Sequence, residues 1–450
     1  MRLTRDGVRG IRSVICPSGH RANRSNAGGE GGFRYIMTHY VFCFPYRGVG
    51  GVPVLFTRIA ERVARQGHQA SVVDYPDGAM AKAVAGSAIS LIPYDDDAAV
   101  EIPDGAILVF QSLNPWALYK PLRIADTTRI FFWNCHPFNL VPTFPGLRAM
   151  MMSNARVGRL LLATLLRGYR RKVLRFIEFL LAHDALVFMD KTNVSNTENY
   201  LGIDLPPRDY LPVPAGDVCG RVDRAPRDWP RDGLRLSWIG RIADFKYPIL
   251  KATLAQLDDL VPSLGVPVHF AIVGSGEHLE DLRRDVTALK NLRVTLRGEL
   301  PVAEISGFLT VQTDILFAMG ISALEGARLG IPTVLLDVAY GTVPDGYVFS
   351  WLHDRDGFTL GEVLSFAHIV PGNRSLQALL GQVMTDFQAV SQAAHAYYKN
   401  SHSPGAVTTK FLHLTHLSHC IYKDFREAGL SARDPVYELF ARLRKRVSTR

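Results

Sequence analysis

The amino-acid sequence predicts the α/β fold class, with doubly wound parallel sheets, from a repeated order of buried strand, glycine turn and helix. The order is clearest over residues 234–337, where five apolar segments of strand length alternate with helical patterns. It recurs over residues 39–74, where two apolar segments flank a glycine-rich turn and a helical pattern. Such alternation is typical of parallel sheets that are covered by helices on both faces. A chain of 450 residues is long enough for two such domains with substantial cores.

In the second half of the chain, the predicted strands end close to glycines or short loops. These strands are 234–239, 269–273, 292–296, 314–318 and 331–337, with helices at 246–260 and 277–289. Ligands of parallel sheets bind beyond the carboxyl ends of the strands, at the loops that open there. Gly240, Gly274 and Gly320 are therefore expected to line one crevice.

The first half predicts strands at 39–44, 69–74, 106–111, 129–133 and 185–189, and a helix at 54–66. The turn after the first strand carries Gly50 and Gly51. A glycine loop at this place can admit a phosphate, and it can also serve only to make the turn. His136 follows the strand at 129–133. A lone histidine is more often structural, but one just past the carboxyl end of a parallel strand is expected to face the crevice.

Two cations follow the strand at 234–239. Gly240 ends the strand, and Arg241 and Lys246 come next, five residues apart. A glycine lets the backbone approach a ligand, and the cations would neutralise a phosphate. The alternative is that Arg241 and Lys246 only cover a solvated helix start.

A helix is predicted to begin near Gly320, Ile321 and Ser322. The amino terminus of a helix offers unpaired N–H groups and the positive end of its dipole, which suit a diphosphate. Glu325 lies three residues after Ser322. This spacing is also that of a capping box, in which Glu325 would bond only to the Ser322 amide, so both interpretations stay open.

These motifs together resemble a known enzyme family. The chain carries Gly-Arg with a lysine five residues later, then Ile-Val-Gly-Ser-Gly-Glu, Arg-Gly-Glu-Leu, and Leu-Glu-Gly-Ala-Arg-Leu-Gly-Ile-Pro-Thr-Val. They resemble the carboxy-terminal domain of retaining GT-B glycosyltransferases and are most similar to glycosyltransferase family 4. The resemblance covers roughly residues 38–365 and is strongest over 234–337. It implies a GT-B fold, in which two Rossmann-like doubly wound domains face a central cleft.

The resemblance also implies roles for single residues. Arg241 and Lys246 would hold the diphosphate of a nucleotide-sugar donor, and Glu325 its ribose. His136 would contact the donor sugar or orient the acceptor. The other donor-binding residues would be Gly50, Gly51, Gly240, Gly274, Gly320, Ile321 and Ser322. One position departs from the family, because Phe317 stands where a glutamate near the donor sugar is usual.

The implied domain organisation has four parts. Residues 1–36 are rich in Arg, Gly and Ser without periodicity and predict a disordered extension. A Rossmann-like acceptor domain over 37–212 and a nucleotide-sugar donor domain over 213–425 follow, and a helix over 426–450 is expected to pack back on the body. Two explanations of 1–36 stay open: a start site placed before the true one at Met37, or a targeting peptide, which the lack of an apolar core segment disfavours.

Composition excludes several classes of protein. The net charge of +9 comes from 51 basic and 42 acidic residues, and no stripe of aromatic residues lies among the cations, so nucleic acid is not an expected partner. Five cysteines without metal-like spacing predict a reducing, cytoplasmic compartment and neither a metal site nor a disulfide framework. The acidic run at 95–97 is interpreted as a solvated loop in preference to a metal site.

A basic helical segment over 151–182 leaves two interpretations open. Arginines lie on one side of the helical pattern and leucines and phenylalanines largely opposite, with a break predicted at Gly168. The segment is either a surface helix or, through residues 156–180, a peripheral contact with the anionic inner face of the plasma membrane. The second would suit a lipid-linked acceptor.

The favoured hypothesis is a retaining, metal-independent glycosyltransferase of the hexosyltransferase type. It would use a UDP- or GDP-linked sugar as substrate, need no cofactor, and extend a saccharide or lipid-linked acceptor in surface polysaccharide or glycoconjugate synthesis. The alternatives are an inactive GT-B scaffold that binds another transferase, supported by Phe317, and a GT-B sugar-nucleotide epimerase. A nicotinamide-dependent enzyme is disfavoured, because the glycines at 48–51 lack the downstream spacing of G-x-G-x-x-G.

Overall fold

The computed structural model describes residues 37–48, 50–115, 118–119, 121–142, 147, 150–151, 154–218, 220–221, 229–364 and 373–431. Within them the chain forms two six-stranded sheets and one small two-stranded sheet. The two large sheets confirm the predicted α/β class with two doubly wound halves. We call the residues packed on each large sheet the first and the second lobe. The predicted extension at 1–36 and most of the predicted terminal helix at 426–450 lie outside the described residues.

The first sheet has the strand order β3-β2-β1-β5-β7-β8, and all its strand pairs are parallel. Its strands are β1 His39–Cys43, β2 Gln69–Asp74, β3 Ser90–Pro93, β5 Ile107–Gln111, β7 Arg129–Asn134 and β8 Leu186–Phe188. The short strands β4 Val100–Glu101 and β6 Leu122–Arg123 pair with each other beside it. In register, Val41 of β1 lies opposite Ser71 of β2 and Leu108 of β5.

The second sheet has the strand order β11-β10-β9-β12-β13-β14. Its strands are β9 Leu234–Ile239, β10 Val268–Val273, β11 Arg293–Gly298, β12 Ile315–Ala318, β13 Thr333–Leu335 and β14 Ser350–Trp351. The first five are parallel, and β14 is antiparallel to β13. Because β9 lies between β10 and β12, the loops after these three strands are neighbours at one edge of the sheet.

Thirteen α-helices surround the sheets within the described residues. They are α1 Gly51–Arg65, α2 Ala79–Val84, α3 Ala155–Ala163, α4 Arg167–Ala182, α5 Lys191–Leu201, α6 Trp229–Asp232, α7 Tyr247–Leu264, α8 Leu279–Thr287, α9 Val302–Gln312, α10 Ile321–Arg328, α11 Leu376–Tyr397, α12 Pro404–Leu417 and α13 Tyr422–Glu427. A π-helical turn, Tyr398–His402, follows α11. The central strands are buried on both faces, as expected for parallel sheets that helices cover on both sides.

The last two helices pack on the first lobe, and this differs from the predicted donor domain over 213–425. Phe411 of α12 contacts the rings of Phe42 and Trp133, at centroid distances of 5.6 and 6.2 Å. Phe425 of α13 contacts Phe132 and Phe176 on the other face of the first sheet. The chain therefore returns to the first lobe before residue 404, because the apolar faces of α12 and α13 are buried against that sheet.

Two chain segments connect the lobes and lie side by side. The segment 213–217 leads from the first lobe to the second, and the π-helical turn leads back. The His402 Nδ1 lies 2.8 Å from the Val213 carbonyl oxygen, and the Tyr398 hydroxyl donates to the Gly216 carbonyl. Burial lowers the pKa of His402 to about 4. The two connecting segments are therefore held together by a neutral, buried imidazole and by the Tyr398 hydroxyl.

Some predicted boundaries are wrong. The basic segment breaks at residues 164–166 and not at Gly168, which lies in the first turn of α4. The Thr164 backbone leaves the helix while its hydroxyl donates to the Leu160 carbonyl at 2.8 Å, so the last turn of α3 is capped there. The strand predicted at 331–337 covers only Thr333–Leu335. Asp337 lies beyond its end and binds side chains and backbone of the following loops.

Candidate active site at the carboxyl edge of the second sheet

The loop after β9 carries the two predicted phosphate-binding cations. Ile242 and Ala243 are fully buried and anchor the loop, while Arg241 is exposed. Lys246 folds back toward the end of β9, so that a side chain on Gly240 would come within 3.4 Å of the Lys246 Nζ. The glycine therefore leaves the space into which the ammonium group reaches.

The positive charge of this loop is not neutralised by an ion pair. Among the residues that the structure describes, neither Arg241 nor Lys246 lies within 4.0 Å of a carboxylate. Burial, and secondly the charge of Arg241, lower the pKa of Lys246. A group whose charged form is disfavoured by burial and by a like charge gains most from an anionic ligand. The arrangement thus suits a phosphate or diphosphate.

The loop after β9 is joined to the loop after β10 mainly by backbone hydrogen bonds. The Gly240 amide donates to Val273, and the Ile242 amide donates to the Ser275 carbonyl at 2.8 Å. Gly274 has a φ of +146°, and a Cβ on it would lie 2.0 Å from the Gly240 carbonyl oxygen. A side chain at residue 274 is therefore incompatible with the shape of the cation loop.

The third part of the site is the start of α10, the helix that follows the neighbouring strand β12. Gly320 is the N-cap with a φ of +64°, and its amide donates to the Leu360 carbonyl at 2.7 Å. Ile321 is 43% exposed and Ser322 is half-buried. The first turn of α10 thus lies open at the same sheet edge as Gly240.

The capping-box interpretation of Glu325 is wrong. Gly320 is the N-cap, so Ser322 lies inside the helix and not at its cap. The Glu325 carboxylate instead pairs with Arg328 at 2.7 Å, and Arg328 also donates to the Ser306 hydroxyl at 2.9 Å. The predicted contact between Glu325 and a ribose stays a prediction, in which Arg328 would orient the carboxylate.

Phe317 belongs to the core of the second lobe. Its side chain is fully buried and packs on Phe270 at 5.7 Å and on Phe349 at 6.5 Å. The position at which the family resemblance leads us to expect a sugar-binding glutamate therefore supplies no polar group to the crevice.

The first lobe contributes the remaining predicted residues. Gly50 is the N-cap of α1 in an extended conformation, and a Cβ on Gly51, the first residue of the helix, would meet nothing within 4 Å. His136 is exposed in the turn after β7, where its Nδ1 accepts the Phe138 amide at 3.2 Å. These residues lie at the carboxyl edge of the first sheet. An approach of His136 to Lys246 stays a prediction.

Contacts between the lobes show that the two carboxyl edges meet. The Thr192 hydroxyl, in the first turn of α5, lies 2.6 Å from the Thr359 hydroxyl of the second lobe. Tyr340 follows β13 and is 51% exposed, and its charge contributes, after burial, to the raised pKa of Tyr200 in the first lobe. The predicted crevice is thus bounded by both sheets on this side.

Two features of this region were missed by the sequence analysis. Asp190 is the N-cap of α5, and its Oδ1 accepts the Asn193 amide at 2.8 Å. The signal was present, because an Asp before a helical pattern is a helix start. Segment 359–362 was not singled out, since the strand and helix patterns that guided the prediction are absent there.

Comparisons with known proteins address the architecture. No protein-family model and no curated protein matches the chain. Solved structures with a similar chain course include a glycosyltransferase from Rickettsia africae ESF-5, at 11% identity and a TM-score of 0.47 over 85% of this chain and 98% of that one. Anabaena HepE in complex with UDP and glucose has 12% identity and a TM-score of 0.43, over 84% and 98%. WaaG, a glycosyltransferase involved in lipopolysaccharide biosynthesis, has 14% identity and a TM-score of 0.40, over 83% and 98%.

Two further observations concern the described residues only. No group of three or more His, Cys, Asp or Glu side chains there is arranged to hold a metal ion. None of the helices in these parts of the chain has both the length and the apolar character needed to cross a bilayer.

Proposed function

We propose that this protein is a GT-B glycosyltransferase that binds a nucleoside diphosphate sugar at the carboxyl edge of the second sheet. The observation that carries the proposal is the pair of cations beside Gly240, Arg241 and Lys246, which have no ion-pair partner within the described part of the chain. The start of α10, which follows the adjacent strand β12, adds N–H groups and the positive end of a helix dipole. A diphosphate offers the negative charge that both features need.

The chemistry of the proposed reaction needs little else from the protein. When the bond between sugar and diphosphate breaks, negative charge grows on the departing phosphate. Arg241, Lys246 and the amides near Ser322 would stabilise that charge, which is the largest usual contribution to such a step. The acceptor hydroxyl would pass its proton to the departing phosphate, so no separate general base is needed. The two cations would take the place of a metal ion in neutralising the charge on that phosphate. Retention of configuration rests on the family resemblance and would be tested by NMR of the product anomer.

The remaining donor contacts follow from the same edge of the sheet. Tyr340 is half-exposed and lies 6.1 Å from Phe245 between ring centroids, and the Ala339 amide donates to the Phe245 carbonyl. This aromatic pair stands next to Lys246 and would support the nucleotide base. Glu325, oriented by Arg328, would bind the ribose. His136 would approach the donor sugar or the acceptor from the first lobe.

The acceptor is proposed to be a saccharide or a lipid-linked sugar that is presented at an anionic membrane surface. Leu160 and Leu165, at the end of α3 and in the turn after it, are 63% and 71% exposed. The exposed cations around them are Arg156, Arg159, Arg167, Arg171, Lys172 and Arg175. Arg170, in contrast, is used structurally, since its Nε donates to the Leu201 carbonyl at 2.7 Å. Exposed leucines among cations suit shallow insertion between anionic headgroups.

This membrane contact is tested by co-sedimentation with vesicles of anionic or of neutral lipid. We expect binding to anionic vesicles that Leu165→Asp weakens. Val302 is 85% exposed on α9 in the second lobe, so Val302→Asp is a matched control that should leave binding unchanged. Equal binding of both variants, or none by the wild type, would contradict the proposed surface.

The donor site is tested by thermal unfolding with and without millimolar UDP, GDP and ADP. A nucleotide at about 100 times its dissociation constant stabilises the folded state by about 2.7 kcal/mol, which raises the melting temperature measurably. We expect one nucleotide to do so selectively and Lys246→Ala to abolish the shift. Lys251→Ala, which removes an exposed lysine of α7 that pairs with Asp285, should leave the shift intact.

A second candidate function is favoured by Phe317, whose buried side chain supplies no sugar contact. An inactive GT-B scaffold would show no stabilisation by any of the three nucleotides. That result would contradict the transferase proposal and direct attention to a protein partner. Selective stabilisation by one nucleotide would contradict the scaffold.

A further inference from the structure

Segment 359–362 runs between the carboxyl edges of the two sheets and contacts both. The Thr359 hydroxyl lies 2.6 Å from Thr192 in the first turn of α5. The next carbonyl, of Leu360, accepts the Gly320 amide at the start of α10 at 2.7 Å. A Cβ on Gly361 would lie 3.5 Å from the Met319 Cβ. The segment is therefore fixed beside the proposed diphosphate site and in contact with the first lobe.

Glu362 ends this segment, and its backbone is held on both sides. Its amide donates to the Asp337 Oδ1 at 2.9 Å, and its carbonyl accepts the Val338 amide at 2.7 Å. Its carboxylate is not held in the same way. The nearest cation, Arg355, is 3.9 Å away and makes a closer contact with Asp337 at 2.7 Å. The Glu362 side chain is 23% exposed, so it is partly open to a ligand.

Three other carboxylates at this edge of the second sheet have close partners. Glu325 is bound by Arg328, Asp337 is bound by Arg355 and by the Tyr347 hydroxyl, and Glu277 accepts the Asp244 amide. Glu362 differs from these three because its ion-pair partner, Arg355, lies 3.9 Å away and is bound more closely by Asp337. A carboxylate can accept hydrogen bonds from hydroxyl groups such as those on a sugar ring.

The first lobe lies close to this carboxylate. Burial raises the pKa of Asp190, at the start of α5, to about 7, and the charge of Glu362 contributes to the rise. Asp190 is two residues from Thr192, and Glu362 is three residues from Thr359. A group bound between the start of α10 and α5 would therefore lie close to residue 362.

We propose that Glu362 accepts hydrogen bonds from the hydroxyl groups of the donor sugar, and so supplies the polar contact that Phe317 cannot make. The inference rests on the proposed function. The sugar is linked to the diphosphate, and the diphosphate site at Gly320 is one hydrogen bond from Leu360, two residues before Glu362. Glu362 is then the residue that distinguishes a nucleotide sugar from a bare nucleotide.

The test compares two affinities in each variant by calorimetry. The probes are UDP against UDP-glucose, UDP-galactose and UDP-N-acetylglucosamine, and GDP against GDP-mannose. Glu362→Gln keeps the size of the side chain and removes its charge. We expect it to weaken binding of the preferred nucleotide sugar about 10- to 100-fold and to leave the affinity for the bare nucleotide unchanged. Asp356→Asn, an exposed carboxylate before the same segment, is the control and should change neither.

The outcomes separate this inference from the proposed function. If the wild type binds no nucleotide, the proposed function fails and this inference with it. If the wild type binds a nucleotide but Glu362→Gln leaves the ratio of the two affinities unaltered, the inference alone is overturned. An equal loss of both affinities, together with a lower melting temperature without ligand, would also overturn it, because Glu362 would then be structural.

Discussion

The carboxyl edges of the two sheets are built in different ways. At the second sheet, backbone contacts set the shape: Gly274 approaches the Gly240 carbonyl so closely that no side chain fits between them. At the first sheet, buried amides meet instead. The Asn134 Nδ2, the Asn193 Oδ1 and the Asn196 Nδ2 are buried and have no hydrogen-bond partner among the residues that the structure describes. Such groups cost about 1–3 kcal/mol each when left unpaired.

This difference indicates that the two edges respond differently to substitution. A site shaped by backbone contacts suits the diphosphate that UDP- and GDP-linked sugars share, and we expect it to tolerate little change at its glycines. These asparagine side chains of the first lobe are buried, so their unused hydrogen-bonding capacity is open to buried water and not to an acceptor in the crevice.

The largest expected effect comes from weakening the packing of α12 on the first lobe. Phe411→Ala removes contacts with Tyr40, Phe42, Phe131 and Trp133 and should lower the free energy of unfolding by about 3–5 kcal/mol. Hydrogen exchange should rise in β1, β5 and β7 and stay unchanged in β9, β10 and β12. Leu417→Ala, at a half-exposed residue of the same helix, is the control. Faster exchange in both sheets would show that the lobes do not unfold separately.

Gly274→Ala is the next in size and tests the backbone-built site directly. The new Cβ would lie 2.0 Å from the Gly240 carbonyl, so the two loops must separate, at a cost of about 3 kcal/mol and with loss of nucleotide binding. Gly265→Ala also places a side chain at positive φ, +66°, but in open space. It should cost about 1–2 kcal/mol and leave binding intact. Normal nucleotide affinity in Gly274→Ala would contradict this account of the site.

A smaller effect is expected in the pH dependence of nucleotide binding. The ammonium form of Lys246 binds the diphosphate, and burial together with Arg241 lowers the pKa of Lys246 below its ordinary 10.5. Affinity should therefore fall about tenfold as pH rises through that lowered pKa. Without ligand the sign is opposite: the unfolded chain holds the proton longer, so this lysine makes stability rise with pH between the lowered pKa and 10.5. Lys246→Arg should remove the pH dependence of affinity, and an unchanged profile in that variant would exclude Lys246 as its source.

The last expected effect is a change in the pH dependence of stability where the lobes meet. Burial raises the pKa of Asp190 from 3.8 to about 7, so the folded chain keeps a proton that the unfolded chain releases. This residue therefore makes the free energy of unfolding fall as pH rises from about 4 to 7. Asp190→Asn keeps an N-cap acceptor for the Asn193 amide and should flatten that slope in urea unfolding. Asp97→Asn, at an exposed carboxylate, should leave the slope as in the wild type, and an equal slope in both variants would contradict the assignment.

The order of strands and helices was predictable because local patterns carry it. The segments 234–239 and 129–133 are mainly apolar and of strand length, as parallel sheets need because both of their faces are buried. Gly240, Gly274 and Gly320 were recognisable as turn residues because each comes just after such a segment. The end of the basic helix at Thr164 was not predictable from glycine position, because a threonine side chain closes that turn.

The sequence by itself determined the α/β class and the positions of the loops that follow the strands, because periodicity and turn residues act over a few neighbours. Only the tertiary structure decided that α12 and α13 cover the first sheet, and that Arg328, the partner of Glu325, also reaches the Ser306 hydroxyl of α9. It also decided that Phe317 is buried while Leu360, two residues before Glu362, comes to the start of α10. The physical reason is that these outcomes depend on which apolar faces and charges meet after folding, at separations in sequence over which no local pattern carries information.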